Sequence, residues 1–233
     1  MSAYVSAVIV AAGGSVRMGI ADSKQFPLLD KPAIEYTLKA FQKCYLIKEI
    51  VIVCREQDVD RINELVNQNG FTKVSKVVLG GSSRSASVRN GIKAANEKAK
   101  YFAIHDGARP LITVDEIERV VEAAFETGAA TLGTSVTDTI KIVDGFNKIE
   151  STPLRSQLRA VQTPQVFERD LYMFALENAG ENSLEFTDDC ALIENMGGEV
   201  LVVKGSEENI KLTTPVDVKT ALRTVISERK DNI

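Results

Sequence analysis

Short runs of β-branched and apolar residues alternate along this chain with stretches of helical spacing, and that alternation restricts the fold more than any other feature. "YVSAVIV", "EIVIVC", "KVSKVVL", "YFAIHD", "ATLGTSV" and, near the end, "EVLVVKG" have the composition of strands. Between them, "PAIEYTLKAF" opens with Pro32, which suits a first helical position, and "QDVDRINELVNQNG" stops at Gly70. "TVDEIERVVEAAFETG" starts with a capping box, Thr113 to Glu116, and stops at Gly128. Strands and helices in this order predict an α/β fold, a mostly parallel twisted sheet with helices on both faces. The near-continuous apolar runs at residues 7–10 and 50–53 agree, because parallel strands are buried on both sides. Ligands on such sheets bind at the carboxyl ends of the strands.

One segment breaks the rhythm. "DTIKIVDGFNKIESTPLRSQLRAVQTPQVF" has alternating apolar residues, a turn at Asp144 and Gly145, and few helix signals, so it reads as a β-hairpin projecting from the sheet. Such an arm suits a lid or a dimer contact, or else an additional antiparallel edge hairpin. The 233 residues fit a single domain, 1–233, with this β-arm inserted at about 138–160. A net charge of −4 argues against a basic nucleic-acid-binding or membrane-surface chain, so polyanion binding has to be local. Cys44, Cys54 and Cys190 are scattered without metal or redox spacing and read as reduced core thiols. The start lacks a basic n-region and no apolar run approaches a membrane span, which predicts a cytoplasmic protein with no membrane or nucleic-acid partner. The tail "SERKDNI" reads as frayed.

The stretch "VIVAAGGSVRMGIADSKQFPLL", residues 8–29, follows the first strand with a loop of small residues. Ala11, Ala12, Gly13 and Gly14 let a ligand approach the backbone, where consecutive amides cradle phosphate oxygens. A dinucleotide fingerprint fails, because Ser15 and Met18 stand where glycines are required. A Walker loop fails too, with Ile20 and Ala21 in the Lys and Ser/Thr places. A Gly-Gly pair alone is most often a plain strand-to-helix turn. Arg17 and Lys24 add two cations just after it, suited to a polyphosphate and its transition state.

Here the chain resembles the sugar and alditol phosphate nucleotidyltransferases, in particular the 2-C-methyl-D-erythritol 4-phosphate cytidylyltransferases. The resemblance rests on "AAGGSVRMG" with "SKQFPLLDKPAIEYTLKAF", then "GGSSRSASVRNGI", "HDGARP", "DTIK", "TPLR" with "QTPQVF", "TDD" and "NIKLTTPVD", in that order over nearly the whole chain. It implies a Rossmann-like sheet of the nucleotide-diphospho-sugar transferase type with a projecting β-hairpin arm. The family loop is usually A-A-G-x-G-x-R-M, whereas this chain has Ser15 at the second glycine position and Gly14 one place earlier.

The chemistry needs no general base, since a phosphate monoester is mostly dianionic at neutral pH and attacks the nucleotide α-phosphorus directly. That suits a chain with one histidine, His105, best read as a structural hydrogen-bonding residue. The difficulty is electrostatic, because an anion must approach a polyanion. The resemblance implies that Arg17 and Lys24 stabilise the triphosphate and the pentavalent transition state, while Arg155 and Lys211 hold the attacking phosphate. It makes Ala11, Ala12, Gly13, Gly14, Gly80, Gly81, Ser87, Asp106 and Gly107 the nucleotide side, and Arg84 stands in the same glycine-rich turn. Asp106 accepts substrate hydroxyls or lies beside a divalent cation, and Arg109 binds phosphate or pins its loop. Mg²⁺, or another divalent cation, would ride mainly on the nucleotide phosphates, with Asp106 the metal-proximal residue. Thr139, Thr163 and Thr187 carry over as hydroxyl partners of the alditol phosphate; Thr187 equally suits a helix cap, as do Thr214 and Pro215. In the family the arm interlocks a homodimer and brings Thr139 and Arg155 to the neighbouring active site. The implied partners are CTP and methylerythritol phosphate. Ribitol 5-phosphate is the rival acceptor, a nicotinamide-dependent dehydrogenase or a non-catalytic nucleotide-binding module the rival of another class.

Overall fold

The structure, a computed structural model, describes residues 3–13, 27–29, 31–180 and 186–231. Its strands are β1 (Val5–Val10), β2 (Pro27–Leu28), β3 (Lys31–Pro32), β4 (Ile47–Cys54), β5 (Val74–Leu79) and β6 (Tyr101–Asp106), followed by β7 (Ala129–Ser135), β8 (Ile142–Val143), β9 (Ile149–Ser151), β10 (Arg159–Glu168) and β11 (Leu201–Lys204). The helices are α1 (Ala33–Lys43), α2 (Val59–Asn69), α3 (Arg84–Ala94), α4 (Val114–Thr127), α5 (Arg169–Ala179), α6 (Cys190–Asn195) and α7 (Pro215–Asp231). Among the described residues, seven strands form one sheet in the order β11-β7-β10-β6-β1-β4-β5. β1 pairs in parallel with β4 and β6, β4 with β5, and β7 with β11; β10 alone runs antiparallel, between β6 and β7.

Every residue of β1 is buried, as a central parallel strand requires. Its alternate side chains serve two cores. Val5, Ala7 and Ile9 face Ile34, Leu38 and Phe41 of α1 and the apolar stripe Ile117, Val120, Val121 and Ala124 of α4. Val8 and Val10 face Val88 and Ile92 of α3, Tyr172 and Ala175 of α5, and Leu192 and Ile193 of α6. Helices thus cover both faces. Phe41 is fully buried and touches the ring of His105 at a centroid distance of 5.0 Å. Cys44, Cys54 and Cys190 are buried thiols that fill the core.

The predicted helix ends hold at α2, which closes on Gly70 at φ 63°, and at α4, where Thr113 and Glu116 make both capping-box bonds and Gly128 adopts φ 80°. Pro32 precedes the first helical residue and is not that residue itself, since α1 begins at Ala33. Thr214 and Pro215 start α7, with Asp217 accepting from the backbone amides of Thr213 and Thr214. That helix continues to Asp231 and takes in most of the tail segment.

The irregular segment is two structures, not one. Residues up to Ser151 form the projecting hairpin of β8 and β9, with Asp144 Oδ1 accepting from the amides of Phe146 and Lys148 at 2.9 Å and Asn147, not Gly145, carrying the positive φ. Residues 159–168 are β10, inside the main sheet. Pro164 argues against a central strand because it has no N–H to give. A register shift between Val161 and Gln165 accommodates it, and the ladder resumes at Gln165.

Candidate active site

β1 lies between β4, reached through α1, and β6, on its other side, so the chain reverses its direction of winding there. A crevice outside the carboxyl ends of the strands is the consequence. Three loops meet at it, after β1, β5 and β6. The amide of Ala11 donates to Val53 O at 2.7 Å, that of Gly107 to Val10 O at 2.9 Å, and that of Gly80 to Cys54 O at 2.8 Å, which ties each loop to a neighbouring strand. A Cβ on Gly80 would overlap the Cβ of Ala12 and lie 3.0 Å from Ser87 Oγ; one on Gly107 would lie 3.3 Å from the Cβ of Ala11. The floor where these loops meet is therefore backbone and methyl groups, packed so closely that Gly80 has no room for a side chain. Ser83 caps α3 by accepting from the amide of Ala86, and Ser87 Oγ accepts from the Gly81 amide at 3.1 Å while donating to Ser83 O at 2.8 Å.

Beside this floor Asp106, the last residue of β6, gathers cations from three parts of the chain. Arg84 Nε donates to its Oδ1 at 3.2 Å, Lys211 Nζ lies 2.8 Å from its Oδ2, and Arg109 Nε is 4.0 Å from the same oxygen. Arg84 also reaches Asp189, with Nη1 2.6 Å from Oδ2. Among the described residues, three cations thus face two carboxylates, and the exposed Lys211 is the one a phosphate can reach most readily. Burial would raise the Asp106 pKa, but Arg84, Lys211 and Arg109 outweigh it and hold the carboxyl well below the usual range. Burial opposes the charge on Arg84 as well, and Asp189 and Asp106 more than restore it. Arg109, where burial dominates over the pull of Asp106, is shifted down. Its Nη1 donates to Asn209 O at 2.7 Å, while its buried Nε has no hydrogen-bond acceptor among the described residues.

His105 holds this corner from below. Its Nε2 lies 3.3 Å from Arg109 O, a pure acceptor, so the network assigns the proton to Nε2 and leaves Nδ1 to accept from Thr163 Oγ1 at 3.0 Å. Thr163 in turn accepts from the Asp106 amide at 3.1 Å. Burial, partly offset by Asp106, lowers the His105 pKa to about 3, so the ring is neutral at physiological pH. The structural reading of His105 agrees with these contacts.

Comparison with known proteins decides what this crevice belongs to. The family model described as IspD, 2-C-methyl-D-erythritol 4-phosphate cytidylyltransferase, matches residues 5–226. The chain belongs to this family. The cytidylyltransferase of Caldanaerobacter subterraneus is 43% identical over 219 residues, 93% of this chain and 96% of its own length. That of Alkaliphilus metalliredigens is 40% identical over 233 residues, covering 99% and 96%. Among solved structures, the 4-diphosphocytidyl-2C-methyl-D-erythritol synthase of Anaerococcus prevotii superposes with a TM-score of 0.85 at 28% identity, with 96% of each chain covered. The Thermus thermophilus cytidylyltransferase gives 0.76 at 28% identity, covering 97% and 99%. A family of cytidylyltransferases leaves no support for a nicotinamide-dependent dehydrogenase or a passive binding module.

In this member of the family the structure brings together Ala11, Ala12, Gly80, Gly81, Ser87 and Gly107 as floor and Asp106, Arg109 and Lys211 as rim. Gly13 borders the floor, and a Cβ there would meet open space. Gly14, Arg17 and Lys24 lie outside the described residues, as does Ser15. Thr163 is present but buried, its hydroxyl engaged with His105 and Asp106. Thr187 is exposed just before Asp188, whose Oδ1 accepts from the Ala191 amide in the first turn of α6. Thr139 and Arg155 are exposed on the arm, where Arg155 Nη1 donates to Thr137 O at 2.9 Å; no ion pair among the described residues joins Arg155 to the Asp106 cluster. Asp189 and Asn209 also belong to the site, the first within "TDD" and the second heading "NIKLTTPVD". The "TDD" doublet is visible in sequence, but which carboxylate turns toward Arg84 depends on packing.

No three carboxylate, histidine or cysteine side chains among the described residues converge as a metal cage. Both oxygens of Asp106 already face cations. Asp106 is the carboxylate that would neighbour a Mg²⁺ held by nucleotide phosphates and water. No helix among the described residues is long and apolar enough to cross a membrane.

Proposed function

We propose that this protein transfers CMP from CTP to 2-C-methyl-D-erythritol 4-phosphate, releasing pyrophosphate, as one step of the non-mevalonate route to isoprenoids. The observation that carries the reading is the cluster of Lys211, Arg109 and Arg84 around Asp106, set beside a bare nucleotide floor in a chain of this family. CTP lies on the floor of Ala11, Ala12, Gly13, Gly80, Gly81 and Gly107, and Gly14, Arg17 and Lys24 serve its triphosphate. The substrate phosphate is held by Lys211 and Arg109, and Asp106 Oδ2 accepts a hydroxyl of the alditol. One phosphate oxygen attacks the α-phosphorus in line, the bond to the β-phosphate oxygen breaks, and pyrophosphate leaves with the charge. No side chain has to take a proton. Mg²⁺ carried by the nucleotide would neutralise phosphate charge as the two anions approach.

The arm supports a homodimer in which Thr139 and Arg155 serve the neighbouring subunit. Ile142, Phe146, Ile149 and Leu154 on it are 49, 85, 63 and 64% exposed, an apolar surface left uncovered by the described residues of one chain. A cytoplasmic location fits a family of enzymes on small phosphorylated substrates. Methylerythritol phosphate is favoured over ribitol 5-phosphate by the named relatives. The test is turnover of Arg17→Ala, Lys24→Ala and Lys211→Ala. Loss in all three, with circular dichroism and melting preserved, supports the mechanism; full activity in any of them removes that residue's role.

A further inference from the structure

Arg84 occupies a position that the assigned roles do not use. It is the first residue of α3, next to the glycine turn of the nucleotide floor, and two of its three guanidinium nitrogens pair with carboxylates on two other segments: Nε with Asp106 Oδ1 and Nη1 with Asp189 Oδ2. The two carboxylates differ in what holds them. Asp189 is a fixed anchor, its side chain 3% exposed, with Oδ1 accepting from Tyr172 OH at 2.6 Å and its amide donating to Gln165 Oε1 at 2.9 Å. Asp106 has its backbone fixed by Thr163, but its Oδ2 faces Lys211, whose side chain is 40% exposed and so within reach of an incoming phosphate.

We propose that Arg84 is a positioning residue for the acceptor substrate: by clamping Asp106 Oδ1 to the immobile Asp189, it leaves Oδ2 as the working oxygen, aimed into the crevice after Lys211 has moved to the substrate phosphate. The proposal rests on the reaction proposed above. A guanidinium suits this task because its planar fork serves two carboxylates in fixed directions, which one ammonium does not. Arg84 contacts neither reactant in this arrangement, and its effect passes through Asp106. The same side chain joins the nucleotide turn, the end of β6 and the segment before α6, three stretches that must keep their spacing for in-line attack.

The test is initial-rate kinetics on Arg84→Lys, which keeps the charge beside buried Asp189 but loses the fork, and on the double variant Arg84→Met/Asp189→Asn, which removes both charges of the anchor together. CTP and methylerythritol phosphate are each varied with the other saturating. The expected result is a fall in kcat/KM for methylerythritol phosphate on the order of 10²-fold in both folded variants, the scale of a misplaced reacting group. Most of it should lie in KM for methylerythritol phosphate, with KM for CTP little changed. Unchanged methylerythritol phosphate kinetics in a folded variant, or an equal rise in both KM values, would overturn the assignment. Wild-type protein that fails to turn over methylerythritol phosphate would instead overturn the proposed reaction.

Discussion

Acid should weaken this protein through one ring. The chain has a single histidine, so His105 is the side chain whose ordinary pKa falls between pH 5 and 7. Folding takes that pKa from 6.5 down to about 3, because the ring is fully buried between β6, Phe41 and Thr163, with Asp106 raising it and Arg109 lowering it by smaller amounts. The unfolded chain then binds the proton that the folded chain refuses, and stability is complete above pH 6.5 and declines as pH falls toward 3. Between pH 7 and pH 5 the loss is about 2 kcal/mol, from 1.36 kcal/mol per pKa unit and the fraction of unfolded histidine protonated at each pH. The figure is set by the unfolded pKa, since the folded one lies well under both test conditions. Urea unfolding at pH 7, 6 and 5, at one protein concentration, measures it, with His105→Gln as the non-titrating control. The wild type should lose about 2 kcal/mol and the variant little of that. A flat wild-type profile, or one that rises on acidification, would refute the neutral buried ring and with it the Nε2–H assignment.

Other perturbations probe the floor and the arm. Gly80→Val places a branched side chain on Ala12 and Ser87; KM for CTP should rise about tenfold, equivalent to about 1.4 kcal/mol of lost binding, and an unchanged value would show that nucleotide does not lie there. Replacing residues 138–151 by a short loop should convert a dimer to a monomer in sedimentation experiments, and a persisting dimer contradicts the arm's role. Phe41→Ala should cost about 3–5 kcal/mol in urea unfolding, since that ring is fully buried against α1's core partners and His105; a loss under 1 kcal/mol would mean the core there collapses to refill the space.

The parts of this molecule that were legible in its sequence are those that local periodicity encodes. β1, β4, β5, β6, β7 and β11 fall on the runs that composition marks, and Gly70 and Gly128 end their helices by their left-handed backbone. β10 was not legible as a central strand, because Pro164 is a breaker in isolation and only the register shift on β7 shows how the sheet tolerates it. The arm and that strand merge in sequence, both having alternating apolar residues. Asp106, Arg109 and Lys211 carried a motif and do meet at one point. Arg84 and Asp189 also stand in motifs, "GGSSRSASVRNGI" and "TDD", but their pairing was not legible, because the two residues are 105 positions apart and nothing local joins them. Thr163 was legible as a hydroxyl near the site, but its two hydrogen bonds, to His105 and Asp106, follow from β10 lying against β6.

The most direct measurement is pyrophosphate release with CTP and Mg²⁺, offering methylerythritol phosphate and ribitol 5-phosphate in separate reactions and identifying the cytidylylated product by mass. Strong preference for methylerythritol phosphate is the predicted result. Preference for ribitol 5-phosphate would contradict the substrate while leaving the cation cluster its role, and silence with both acceptors would contradict the reaction itself.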